Sequence, residues 1–97
     1  QAARQTIRHA LDTEDEAVAL GNAGEYGLVA YLHTLDPRRI YRVSRALRFG
    51  MVAVNRTKVT GAPIPFGGMK QSGLGREGSR LGMEEFTEVK YVCRDWA

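Results

Sequence analysis

Apolar and polar positions alternate along the chain with clear changes of period. The segment Thr13 to Glu16 reads T-x-x-E. In that spacing the threonine hydroxyl and the glutamate carboxylate can each satisfy a free backbone N–H at a helix start. Glu14, Asp15 and Glu16 also suit the positive end of a helix, which is predicted to run through Ala17 and Leu20 and to stop near Asn22 to Gly24. The next run, Gly27 to Leu32, is apolar at nearly every position, the pattern of a strand buried on both faces of a parallel sheet. Asp36 to Gly50 then changes to helical period. Arg38, Arg42 and Arg45 share one face, Arg39 and Arg48 flank it, and Ile40, Val43 and Leu47 fall opposite. Asp36 reads as the N-cap, Pro37 as the first helical residue, Arg48 as part of the last turn and Gly50 as the stop. A second apolar run, Met51 to Val54, completes a β-α-β unit.

Periodicity is lost from Asn55 to Gly75, NRTKVTGAPIPFGGMKQSGLG. A stretch of about 20 residues without regular structure inside a compact domain is commonly functional. Here Gly61, Gly67, Gly68, Gly73, Gly75, Pro63 and Pro65 punctuate it, which predicts a loop held in defined turns. Glu77 to Phe86 reads as a short helix interrupted by Gly78 and Gly82. Thr87 to Val92 alternates like a half-exposed strand, and a terminal strand without a partner in its own chain is suited to pairing with another subunit.

Composition limits what such a chain can be. Its 97 residues, 43% hydrophobic and 26% charged, suit one small globular domain or part of a larger one. They are too few for a dinucleotide-binding domain plus a separate catalytic domain. The single Cys93 excludes an internal disulfide and a Cys-based zinc cluster, and points to a reducing, cytoplasmic setting. No apolar run approaches the roughly 20 residues of a membrane span, and the start QAARQTIRHA lacks the apolar core of a signal peptide. The formal charge of +3 raises nucleic-acid binding, but lysines are few and aromatic residues are not interleaved with the arginines.

Spacing alone reveals no active site. Gly73-Leu-Gly75-Arg-Glu-Gly78 has the letters of a dinucleotide fingerprint. It is not preceded by an apolar strand, however, and it lacks the acidic residue after a second strand that the mechanism requires. Cys93 stands in no recognisable relation to His9 or His33, and reads as a small apolar side chain ending a strand. Ser72 and Ser79 lack a nucleophile-elbow context, and Glu84, Glu85 and Glu88 have no metal-like spacing.

Longer motifs carry more. Asn55, the run Pro65-Phe-Gly-Gly-Met-Lys-Gln-Ser-Gly-Leu-Gly-Arg-Glu-Gly78, then Gly82, Phe86 and Thr87-Glu-Val-Lys90 resemble the C-terminal end of the NAD(P)-dependent aldehyde dehydrogenase superfamily. The upstream DTEDEAVALGNAGEYGLVAYLHT is similar to the same family in the same order, so the resemblance runs from about Leu11 to Cys93. Within the superfamily the stretch from Thr60 onward is most similar to succinate-semialdehyde dehydrogenases and neighbouring ω-semialdehyde enzymes. The implied fold is α/β, the terminal β-α-β portion of the catalytic domain over residues 11–86, with an oligomerisation strand and tail over 87–97.

The implied reaction has a cysteine thiolate attack an aldehyde, hydride pass to NAD or NADP, and a glutamate-activated water release the carboxylic acid. By the family's order the cofactor domain, the nucleophile and the general base lie upstream of residue 1, so the resemblance implies no catalytic, cofactor or metal ligand in this chain. It implies Phe66 as an aromatic wall of the aldehyde tunnel, and Thr60 as a hydroxyl near the substrate's distal carboxylate. Arg76 and Glu88 are implied at a subunit interface of a homo-oligomer, in one ion-pair network. Residues 1–10 do not match the family's E-x-F-G-P-V type segment, and with Gln1 at the start the expectation is a truncated or remnant product. An inactive remnant that only folds or assembles, and a small basic binding module, remain open alternatives at this point.

Overall fold

The structure, a computed structural model, describes residues 11–96, so the divergent stretch expected at 1–10, with His9, lies outside the described residues. The elements are α1 (Glu14–Asn22), β1 (Tyr26–Gly27), β2 (Val29–Leu32), α2 (Pro37–Ala46), β3 (Met51–Val54), β4 (Met69–Lys70) and α3 (Ser79–Glu84).

Both long helices start where their caps predict. Thr13 Oγ1 accepts a hydrogen bond from Glu16 N at 3.2 Å, while Glu16 Oε2 accepts from Asp12 N at 3.1 Å, one residue earlier than a strict capping box. Asp36 Oδ1 accepts from Arg38 N at 2.9 Å and Arg39 N at 3.4 Å, and Pro37 occupies the first turn. The end of α2 differs from expectation. The helix stops at Ala46, so Arg48 and Gly50 lie beyond it. Asn22 supplies the reason: its Nδ2 donates to Ala46 O at 2.8 Å and its Oδ1 accepts from Arg48 N at 2.7 Å. The side-chain amide thereby replaces the hydrogen bonds of a further turn.

The β-α-β unit forms as the pattern predicts. β2 and β3 pair in parallel, with Val29 opposite Met51 and Leu32 opposite Val54. Burial on both faces does not follow: β2 is half-buried with Tyr31 exposed, and β3 buries only Ala53. A two-stranded sheet among these residues has too little covering layer to enclose both faces. Val43 and Ala53 are the buried hydrophobic residues of the described chain.

The long loop contains regular structure that its sequence does not announce. β4 pairs antiparallel with β1, Tyr26 opposite Lys70 and Gly27 opposite Met69. The apolar run therefore serves two sheets, divided at Leu28. α3 is shorter than the predicted 77–86, since Glu77 is bridged to Phe66 and cannot also open a helix.

The C-terminal segment has no strand partner among the described residues. No strand forms over 87–96, and Phe86, Val89 and Trp96 are 92%, 101% and 104% exposed. Strand structure requires a hydrogen-bonded neighbour, and neither two-stranded sheet includes this segment. Cys93 is exposed there instead of ending a strand.

Candidate substrate-lining loop

The loop from Asn55 to Gly78 is pinned at successive points to the β-α-β unit. At its start Asn55 adopts a left-handed φ of 54°, which asparagine tolerates better than most residues. Its side chain clamps Thr34 by donating Nδ2–H to Thr34 O at 2.8 Å and accepting from Thr34 N at 2.9 Å. Both connections leaving the C-terminal ends of β2 and β3 are thereby tied together. A turn follows in which Ile64 N donates to Gly61 O at 3.0 Å around Ala62 and Pro63.

The second half doubles back on the first. Phe66 and Glu77 exchange backbone hydrogen bonds of 2.8 and 2.7 Å, and Ser79 N donates to Ala62 O at 2.8 Å. Gly78 makes this approach possible. Its φ of 69° and ψ of 178° suit glycine alone, and a Cβ there would stand 2.7 Å from Ile64 O. Gly50 plays the same part at the base of the loop, where a Cβ would stand 2.6 Å from Gly68 Cα.

Side chains lock the β1–β4 junction. Ser72 Oγ accepts from Gly27 N at 2.8 Å, and Gln71 N donates to Glu25 O at 2.9 Å. Lys70, at a positive φ of 56°, sends Nζ to Asn22 O at 3.0 Å and Gly24 O at 3.2 Å. One ammonium thus fixes the chain reversal after α1.

This framework brings Thr60 and Phe66 to one cleft of about 300 Å³, shared with Ile64 and Glu77. Thr60 is exposed and Phe66 half-buried. Phe66 also borders a second hollow of about 310 Å³ with Leu28 and Arg76. The arrangement places an aromatic wall and a hydroxyl on one concave surface, suited to a short chain with a polar end.

Arg76 has a structural task within the chain. Its Nη1 donates to Gly68 O at 3.0 Å and Gly75 O at 2.7 Å, bracing the two glycine turns. Glu88 is exposed, and no ion pair joins it to Arg76 among the described residues.

Elsewhere the basic face of α2 is partly neutralised. Glu14 receives Arg42 Nη2 at 2.9 Å and Arg39 Nε at 3.2 Å. The hydrogen bond from Arg42 chiefly, then that from Arg39, holds the Glu14 carboxyl at about 2, well below 4.5. The Arg42 guanidinium is raised in turn by Glu14.

The glycine fingerprint does not form a cofactor cradle. It follows the β4 turn, not a long strand. Its last glycine is packed on the carbonyls of Ile64 and Ala62, where a pyrophosphate would need space. His33 is exposed. Among the described residues no group of three or more His, Cys, Asp or Glu could hold a metal, and no helix is long and apolar enough to cross a membrane.

Sequence reasoning named Thr60, Phe66, Arg76 and Glu88 but missed Asn22, Lys70 and Ser72 as positioning residues. Asn22 and Ser72 read only as turn formers. Lys70 gives no local signal, because lysine at positive φ is uncommon.

A β-α-β unit with its glycine-rich loop folded back beside an aromatic-lined cleft defines an α/β element, and the sequence profile of the Aldehyde dehydrogenase family matches residues 7–92. The chain belongs to that family. It is 56% identical over 80 residues to the non-phosphorylating aspartate-semialdehyde dehydrogenase of Halomonas elongata, covering 82% of this chain and 16% of that protein. To the mitochondrial succinate-semialdehyde dehydrogenase of Mus musculus it is 55% identical over 82 residues, covering 84% and 16%. The crystal structure of an aldehyde dehydrogenase from Brucella melitensis biovar abortus 2308 superimposes with a TM-score of 0.88 at 48% identity, over 92% of this chain and 18% of that one. The chain thus spans about a sixth of the length of the curated relatives it matches.

Proposed function

We propose that this chain is the C-terminal part of an NAD(P)-dependent aldehyde dehydrogenase that oxidises an aldehyde with a distal carboxylate, succinate semialdehyde or a similar ω-semialdehyde, to the acid. The observation that carries the reading is the shared cleft of Thr60 and Phe66. Phe66 excludes water beside the aldehyde's alkyl chain, and the Thr60 hydroxyl donates to the distal carboxylate. Asn55, Gly78 and the Phe66–Glu77 bridge fix the distance between them.

The nucleophilic cysteine, the general-base glutamate and the NAD or NADP site belong, in this reading, to an upstream part of the enzyme, and the chain alone is inactive. The glycine fingerprint of this chain, packed at Gly78 on the carbonyls of Ile64 and Ala62, does not fit the cofactor. The tail over 87–97 pairs with a second subunit, and Arg76 and Glu88 lie at that interface of a homo-oligomer. The exposed, unpaired Cys93 suits a reducing compartment such as the cytoplasm. Pairing of Arg39 and Arg42 with Glu14 weighs against the basic binding module.

The test is a chimaera in which residues 7–92 replace the matched segment of the mouse relative. The expected result is NAD(P)H production from succinate semialdehyde. A folded chimaera that oxidises no aldehyde contradicts the proposal.

A further inference from the structure

The outer face of α2 is chemically unlike an ordinary solvated helix surface. Arg38, Tyr41, Arg42 and Arg45 share that face and all are exposed, while Val43 on the opposite face is buried. The helix carries no lysine, aspartate or glutamate between Pro37 and Ala46. Solvated helix faces mix charges of both signs, whereas arginine and tyrosine are enriched, and lysine and glutamate depleted, where proteins meet. Two carboxylates bond to α2, and both are engaged: Asp36 caps its start, and Glu14 receives Arg39 and Arg42. Arg38 and Arg45 make no ion pair among the described residues, whose remaining pair joins Arg80 to Glu84. Arg45 is held in place by other means, its Cζ lying 4.4 Å from the centroid of the Tyr41 ring. Stacking occupies one face of the guanidinium and leaves its N–H edges free for a carboxylate.

We infer that this face docks an acidic segment of another protein, with carboxylates about 10 Å apart to match the helical rise from Arg38 to Arg45. Arg38 and Arg45 each offer a two-pronged fork to one carboxylate, and Tyr41 between them packs against the segment's apolar stems. Pairing with Glu14 fixes Arg42 within the same stripe, so the arrangement exists before the partner arrives. A nucleic acid suits the face less well. A single exposed ring, with one side already covered by Arg45, is no platform for successive bases. The face spans one ten-residue helix, which fits a weak, salt-sensitive contact and not a permanent interface. Among the described residues α2 contributes nothing to the lining of the cleft of Thr60 and Phe66, so docking is independent of the aldehyde reading.

The test is fluorescence anisotropy of the same chimaera with a labelled helical peptide that bears glutamates at the spacing of Arg38 and Arg45, and with a control peptide bearing glutamines there. Arg38→Gln combined with Arg45→Gln should weaken binding of the acidic peptide by about tenfold, and the glutamine peptide should bind neither form. Arg38→Lys with Arg45→Lys keeps the charge but loses the forks, and should recover part of the affinity. Tyr41→Leu, which frees Arg45, should weaken binding by about threefold. Added salt should weaken the acidic peptide's binding to the unsubstituted chimaera. All these positions are exposed, so the melting temperature should not change. Binding unaltered in the double glutamine variant, or no binding of the acidic peptide to the unsubstituted chimaera, overturns the inference. Tighter binding of a single-stranded RNA of equal charge overturns the assignment to an acidic protein segment.

Discussion

Alanine at position 78 would have to occupy space already filled by the loop's own backbone. Gly78 holds φ 69° and ψ 178°, a combination that costs an L-residue about 1–3 kcal/mol. The added methyl also meets Ile64 O at 2.7 Å and Ala62 O at 3.3 Å, backbone atoms that cannot swing aside as a side chain could. Relief requires the Ser79 N to Ala62 O bond and the Phe66–Glu77 bridge to loosen, which opens the cleft of Thr60 and Phe66. Together these effects set a penalty of about 3 kcal/mol, or roughly a hundredfold in local opening. Gly73→Ala is the internal control. Its φ of 100° is also unfavourable, but nothing lies within 4 Å of the new methyl, so only the conformational part, about 1–2 kcal/mol, applies. Hydrogen exchange read by mass spectrometry over peptides covering residues 61–79 of the chimaera separates the two. Gly78→Ala should accelerate exchange at Phe66, Glu77 and Ser79 by about a hundredfold, and Gly73→Ala by about tenfold. Equal acceleration in the two variants would refute the packing argument.

Four further outcomes follow from the same geometry. Glu14 is held at about 2, so its pairing stabilises the α1–α2 contact fully above 4.5 and is lost as pH falls through the folded value; a carboxyl carbon titration by NMR with a midpoint near 4.5 would contradict the ion pair. Asn55→Ala removes both bonds to Thr34 and leaves alanine at φ 54°, an expected loss of about 2 kcal/mol in unfolding experiments, part of which Asn55→Gly should recover. Phe66→Ala should raise KM for the aldehyde by about tenfold through loss of the aromatic wall, and an unchanged KM would remove Phe66 from the site. Glu88→Lys should weaken subunit assembly, measured as oligomer mass by light scattering; unchanged mass and kinetics would count against its interface role.

The parts of the fold that were legible in the sequence are those set by local chemistry. Thr13, Asp36 and Pro37 mark helix starts because capping acts within three or four residues, and β2, α2 and β3 follow from periodicity. Pairings across the chain were not legible. β4 is only Met69 and Lys70 within a glycine-rich stretch, and its partner Tyr26–Gly27 reads as part of a longer apolar run. The Asn22 cap on α2 and the Glu14 pairs with Arg39 and Arg42 join elements about 25 residues apart, beyond the range of any window. The alternation at 87–92 describes a strand only where a neighbour exists, and among the described residues no segment pairs with it. Of the site, Thr60 and Phe66 came from the family motif, and their shared cleft came from Gly78 and the Phe66–Glu77 bridge, which the motif does not describe.

In the proposed enzyme the loop from Asn55 to Gly78 forms a wall of the aldehyde site. A crystal structure of the chimaera with bound succinate, the oxidation product of succinate semialdehyde, tests it most directly. The expected result is succinate with its methylene groups within about 4.5 Å of the Phe66 ring and its distal carboxylate within hydrogen-bond reach of Thr60 Oγ1, about 3 Å. Succinate seated away from both residues, in an otherwise intact enzyme, would contradict it.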